Sequence, residues 1–290
     1  TQWQSMTQRR RRTRRLSLAA AALVFIGVFS AVILNRQPAA LIPSVQVATI
    51  ERVTGNVSLQ VEGGSTASAL SSGQTLKSGQ LISTAYGSGL TLRWESGVLL
   101  RLDQNSRLEL KTPQLIEMEG GRIYIDTADS GESVLDVETP AGPVRHVGTR
   151  YMVDVNLGTT RVSVREGRIS IGQDSSYTSA GERLVVDMAG KSRRESIPLH
   201  GDLWSWADQL APPFEADGRS IGEFLDWVSR ESGLTLEYAS EDARRMAQDS
   251  RLLGTVERAP MEALELVMQT TDLVYEVNDG VISVSTTGEH

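Results

Sequence analysis

"RVSVREGRISI", residues 161–171, alternates apolar and polar side chains on both sides of a Glu-Gly pair. Val162 and Val164 run into Glu166-Gly167, and Ile169 and Ile171 run out of it. Such alternation marks a strand with one buried face. A glycine between two runs supplies the positive φ that a tight turn needs. The stretch therefore reads as strand, turn, strand. "LTLRWESGVLLRLD" (90–103) reads the same way, with Leu90, Leu92 and Trp94 on one face and Leu100 and Leu102 together after the turn. "IEMEGGRIYID" (116–126) repeats the idea. The spacing is unequal, so this is a loose internal echo rather than a fixed repeat. From Val45 to about Met188 the expectation is all-β.

Composition agrees with a strand-rich chain: 26 glycines, 5% aromatic residues and no cysteine. The absence of cysteine removes disulfides, thiolate metal sites and thiol nucleophiles from consideration. Charge is unevenly placed. Of 29 basic and 36 acidic residues, seven arginines and no acid fall within residues 1–40, leaving a strongly acidic body. Such a body lacks the basic face that tracks phosphates, so no nucleic-acid partner is expected.

The basic cluster abuts "LSLAAAALVFIGVFSAVIL", residues 16–34, which carries no charge. A helix of that length covers roughly 28 Å at about 1.5 Å per residue, close to a bilayer's hydrocarbon thickness. Six arginines precede it and one follows, which places the N-terminus in the cytoplasm by the positive-inside rule. The alternative is a cleaved signal peptide, but those have apolar runs of about 7–15 residues and a small-residue cleavage site. The expected layout is a cytoplasmic basic tail (1–15), a transmembrane helix (16–34), a linker (35–48), an all-β domain (49–190), a junction (191–213) and an α+β domain (214–286). That makes the chain a single-pass membrane protein with everything after about residue 40 outside the cytoplasm.

The strands carry a resemblance. "TLRWESGVLLRLDQNSRLEL", "IEMEGGRIYIDT", "LDVETPAGPVRHVGTRYMVDV", "TRVSVREGRISI" and "SAGERLVV" follow one another in the order of the FecR protein domain, over about 49–188. Each piece alone is a common hairpin pattern. Together, around an intact Gly-Thr–x–aromatic–x–Val centre, they resemble that family. The resemblance implies an irregular β-sandwich or a β-solenoid-like fold.

After "HGDLWSWADQLAPPFEADG" the rhythm changes. Ser220 and Glu223 form a capping-box pattern, and Ile221, Phe224, Leu225 and Val228 share one helix face. Gly233 is placed to stop that helix. "LTLEY" and "SRLLGTV" read as strands, and Pro260 opens a second helix. Asn278-Asp279-Gly280 joins "LVYEV" to "VISVS" in a hairpin. The expected order is β-α-β-β-α-β. Residues 214–286 resemble the short N-terminal domain of secretins and TonB-dependent transducers, called STN.

Few residues suggest chemistry. No H-E-x-x-H, G-x-S-x-G or Walker loop is present. His200 and His290 stand apart from one another, no metal site or cofactor is expected, and Asp126 and Asp129 read as solvated loop ends. "HVGTRYMVDV" (146–155) is the exception. An ideal strand would put His146 and Gly148 on one face and Thr149, Tyr151 and Val153 on the other. Gly148 then serves a bend or bulge, with Tyr151 and Val153 in the core. Some FecR-like regulators cleave themselves at a Gly-Thr bond in this motif, and Gly148-Thr149 matches that pair. Trp227 belongs to a core. Trp204 and Trp206 lie where the two domains would pack together.

The resemblance implies a signal relay rather than an enzyme. Its partners would be the signalling domain of a TonB-dependent transducer outside and an extracytoplasmic-function sigma factor inside. Strand addition is the expected docking mode, on "LVYEV" and "VISVS" (Leu273, Tyr275, Val277, Val281 and Ser283) or on the end strand of the β domain. FecR regulators hold sigma with a helical cytoplasmic domain, and fifteen residues before the apolar segment are too few to bury a core. If the chain begins at Thr1, direct sigma binding is not expected of it. The alternative is a membrane-tethered periplasmic scaffold without sigma binding.

Overall fold

The computed structural model describes residues 44–61, 66–67, 70–127, 135–172 and 177–288. The expected basic tail, the membrane segment and most of the linker lie outside them, as do Asp129 and His290. Among the described residues no helix is long and apolar enough to cross a membrane.

One sheet contains fifteen strands: β1 (Gln46–Thr54), β2 (Val57–Val61), β3 (Thr66–Ala67), β4 (Thr75–Lys77), β5 (Gln80–Thr84), β6 (Gly89–Trp94), β7 (Leu99–Leu102), β8 (Arg107–Thr112), β9 (Leu115–Asp126), β10 (Asp136–Glu138), β11 (Val144–Asn156), β12 (Thr159–Ile171), β13 (Thr178–Ser179), β14 (Glu182–Val186) and β15 (Ser192–Ser196). The expected hairpin at 90–103 forms: Leu90 pairs with Leu102 and Leu92 with Leu100, around Gly97 at φ 92°.

The other two glycine-cut stretches are not hairpins. β9 runs through Gly120-Gly121 without reversing. Before that point it pairs with β8 and β10, and after it with β7 and β11. β12 likewise runs straight through Glu166-Gly167. Gly121 and Gly167 do have positive φ, 91° and 76°. A turn and a strand kink make the same demand on the backbone, so glycine alone does not separate them. These kinks let long strands change partners and fold the sheet over its own core. Ile50, Leu92, Leu100, Ile116, Ile125, Tyr151, Val164 and Ile169 are buried together there. The fold is mainly β, and nearer the irregular sandwich than the solenoid.

The C-terminal part comprises α1 (Ser205–Gln209), β16 (Phe214–Glu215), α2 (Ile221–Ser232), β17 (Thr235–Tyr238), α3 (Glu241–Asp249), β18 (Thr255–Val256), α4 (Pro260–Met268), β19 (Leu273–Asn278) and β20 (Val281–Thr286). α2 begins as its sequence demands. The Glu223 amide donates to the Ser220 hydroxyl at 3.1 Å, and the Ser220 amide donates to the Glu223 carboxylate at 2.8 Å. Gly233, at φ 71°, caps its end. The β-α-β-β-α-β expectation needs correction. The helix α3 intervenes, and "SRLLGTV" contributes only the two-residue β18, paired with β16 outside the three-stranded sheet. α3 escapes a search for apolar periodicity because it buries only Ala243 and Ala247. Phe214, Phe224, Leu225, Leu264 and Ile282 anchor this second core, with Trp227 against Phe214 and Phe224.

Trp204 anchors a third, smaller cluster with Tyr124, Met152 and Ala207. It is fully buried, donates its indole N–H to the Pro198 carbonyl at 2.8 Å and meets Tyr124 edge-on at 6.1 Å. Tyr124 and Met152 belong to the sheet face opposite the main core, so α1 covers the back of β9 and β11. Trp206 stacks under the Arg122 guanidinium at 5.2 Å.

Candidate functional site

Between Val147↔Arg168 and Arg150↔Glu166, two residues of β11 (Gly148 and Thr149) face one of β12 (Gly167). That is a β-bulge, the bend expected of Gly148. Gly148 has φ 55° and is exposed, whereas Thr149 is only 1% exposed. Gly167 is required opposite. A Cβ there would collide with the Gly148 carbonyl oxygen and stand 2.6 Å from Thr149 Cγ2. Tyr151 and Val153 occupy the core as expected. The bulge also shifts the alternation by one residue, so His146 and Tyr151 do not lie on opposite faces. Their rings sit 5.9 Å apart.

Thr127, just past the end of β9, holds the bulge from the neighbouring strand. Its hydroxyl accepts from the Thr149 amide at 2.8 Å. The same hydroxyl donates to the Thr149 carbonyl at 3.0 Å, and the Thr127 amide donates to that carbonyl at 3.1 Å. The Thr149 hydroxyl is buried and has no hydrogen-bond partner among the described residues. Neither Thr127 nor Gly167 carries a sequence signal for this role; strand pairing alone brings them here.

His146 is buried, and its Nε2 accepts from the Leu135 amide at 3.2 Å. Its proton therefore sits on Nδ1, which has no partner among the described residues. Burial lowers its pKa below the usual histidine value. Among the described residues no group of three or more potential metal ligands is gathered. His200 sits beside Gly280, where a Cβ would meet its ring, and Asp126 is not a solvated loop end. The Asp126 carboxylate is 1% exposed and pairs with Arg230 of α2 at 2.9 Å.

That pair belongs to a polar junction between the sheet and the end of α2. Arg165, 1% exposed, donates to the carbonyls of Leu199 (2.8 Å), Glu231 (2.9 Å) and Ser232 (2.6 Å), and to Asp208 at 3.0 Å. Arg101, fully buried, pairs with Glu231 and donates to the Ala207 carbonyl at 2.9 Å. Arg150, the neighbour of Thr149, binds the Arg230 carbonyl and Glu166. Cations gathered at a helix C-terminus meet its unpaired carbonyls and its negative pole. The C-terminal domain thus grips the two strands that carry Thr127 and Thr149.

The expected docking residues divide. β20 lies between β17 and β19, so the backbone at Val281 and Ser283 is paired on both sides and offers no edge. β19 is an edge of this sheet, as is β17 on the other side. On β19, Leu273 is buried, Tyr275 half-buried and Val277 39% exposed.

Residues 80–170, which include the bulge, Thr127 and Gly167, match the family model described as FecR protein. The chain carries a FecR domain. Two crystal structures, each of a candidate anti-sigma factor from Parabacteroides distasonis ATCC 8503, are similar at 15% identity. One gives a TM-score of 0.37 over 71% of this chain and 98% of its own, the other 0.38 over 70% and 97%. No curated protein matches.

Proposed function

We propose that this chain is a FecR-type regulator that acts on a sigma factor in response to a protein bound at its C-terminal domain. The observation that carries this reading is the FecR domain at residues 80–170, joined through buried arginines to a domain with an open strand edge. In the finer form, the apolar segment 16–34 anchors the chain in the inner membrane with its bulk in the periplasm. The signalling domain of a TonB-dependent transducer adds a strand to β19, and an extracytoplasmic-function sigma factor is held or released on the cytoplasmic side. The STN-like character of residues 214–286 belongs to the same proposal. The test removes the gene and measures transcription from promoters of each such sigma factor in the host. One regulon changes if the reading holds. No change in any regulon would sink it and leave the tethered scaffold.

A second reading is favoured by one observation, the buried Thr149 hydroxyl, without a hydrogen-bond partner among the described residues, beside a bulged Gly148. It is self-cleavage of the Gly148–Thr149 bond. The Thr149 Oγ1 bonds to the Gly148 carbonyl carbon, the carbon–nitrogen bond breaks, and the nitrogen takes up a proton to leave as an amine. The resulting ester is opened by one water, giving a Gly148 carboxylate and a free Thr149 hydroxyl. Intact mass of the purified chain tests it: two fragments meeting at 148/149, absent in Thr149→Ala.

A further inference from the structure

We infer that Thr127 is a catalytic residue of this bond cleavage, delivering a proton to the departing Thr149 nitrogen. The inference rests on the self-cleavage reading. Its basis is position. The Thr127 oxygen lies 2.8 Å from the nitrogen whose bond to Gly148 would break, within the reach that proton transfer requires. In the resting bulge that oxygen accepts the N–H, and its own proton lies on the Thr149 carbonyl 3.0 Å away.

An amide nitrogen has no usable lone pair while it is planar. Once Oγ1 adds to the Gly148 carbon, conjugation is lost and the nitrogen becomes basic. A hydroxyl can turn about its C–O bond from donating to the carbonyl to donating to this nitrogen. The nitrogen, pyramidal once conjugation is lost, turns its lone pair rather than its N–H toward that oxygen. Thr127 gives its proton to nitrogen and regains one from the Thr149 hydroxyl as that oxygen bonds to carbon, directly or through water. The proton count closes within the two threonines, and only the later ester hydrolysis consumes water.

The surroundings hold this arrangement in place. The Thr127 amide keeps the Thr149 carbonyl fixed at 3.1 Å whatever its hydroxyl does. Asp126 and Arg150, the neighbours of the two threonines, both bind Arg230 of α2. The absent side chain at Gly167 leaves room for the Gly148 carbonyl oxygen, where negative charge would develop.

The test uses the full chain and compares Thr127→Ser with Thr127→Ala, which differ by one oxygen and share any loss due to the missing methyl. Fragment formation is followed by intact mass, with and without hydroxylamine, which traps the ester as a Gly148 hydroxamate. We expect T127S to cleave within about threefold of the parent and T127A to be slower by about 100-fold, the scale of a positioned acid–base group. Equal rates for T127S and T127A, with the parent cleaving, would overturn the role of Thr127 and leave self-cleavage intact. A parent chain that yields neither fragments nor hydroxamate overturns the self-cleavage reading itself. T127A also loses the two hydrogen bonds of that hydroxyl to Thr149, so the melting midpoints of both variants are compared with that of the parent, and rates are read where all three are fully folded.

Discussion

Replacing Arg165 by Met gives the sharpest test of how the two domains are joined. The side chain is 1% exposed and makes four hydrogen bonds, three to carbonyls and one to Asp208. Its guanidinium also lies 5.0 Å from the Trp204 ring centre. Methionine keeps much of the volume, so the loss is electrostatic. It leaves three carbonyls and the mostly buried Asp208 without their cation. Breaking a buried pair by removing one partner costs about 3–5 kcal/mol. For a unit of this size that lowers the melting midpoint by roughly 2–4 °C per kcal/mol, hence by about 6–20 °C. Arg193→Met is the control, since Arg193 is 67% exposed in its pair with Glu195 and should cost under about 0.5 kcal/mol. Burial already pushes the Asp208 carboxyl up, and Arg165 pulls it back. Without Arg165 the folded pKa rises further, so the folded variant binds protons that the unfolded chain does not. The penalty relative to the parent is therefore largest at neutral pH and shrinks as pH falls towards the carboxylate range. A thermal melt of R165M within 1 °C of the parent at neutral pH would refute the claim that this arginine holds the junction.

Other outcomes follow from the same geometry. Gly167→Ala and Gly148→Ala both place a side chain at positive φ, which costs about 1–2 kcal/mol, but only Gly167 faces a collision. G167A should lose about 2–5 kcal/mol once overpacking is added, and G148A, with open space around its Cβ, only the strain; urea midpoints compare them. Burial depresses the folded pKa of His146, so the unfolded chain takes up its proton first and stability falls as pH drops below about 6.5. His146→Gln should flatten that limb of the stability–pH curve, and an unchanged slope would count against a buried neutral imidazole. Ser220→Ala removes the α2 cap and should cost about 1 kcal/mol in the same urea assay.

The parts of this molecule that were legible in sequence are local. The Ser220–Glu223 box, the Gly233 stop, the 90–103 hairpin and the packing of Trp227 against the second core each depend on residues a few positions apart or on plain burial. Gly121 and Gly167 were misleading because a kinked strand and a reversing turn both need positive φ, and the deciding fact is which strands lie alongside. Arg101 and Arg165 alternate with apolar residues and so look like the solvated face of a strand. They are buried because α1 and α2 cover that face, through contacts such as Arg165 to Glu231, 66 residues away. Thr127 reaches Thr149 across 22 residues by strand pairing, and nothing in "IYIDT" announces it. The candidate docking strand was half legible: hydrophobic alternation marked both β19 and β20, but only the parallel pairing of β17 with β20 shows which of them is the edge.

The central claim is that the C-terminal domain receives a protein signal through β19. It is tested most directly by amide hydrogen exchange on the full chain, with and without the signalling domain of a TonB-dependent transducer from the same host. The account predicts slower exchange across Leu273–Asn278 on binding, and loss of that effect in Val277→Pro, which removes a donor from the exposed edge. Tight binding with protection confined to other segments would contradict the docking strand, and no binding to any transducer signalling domain of the host would contradict the relay itself.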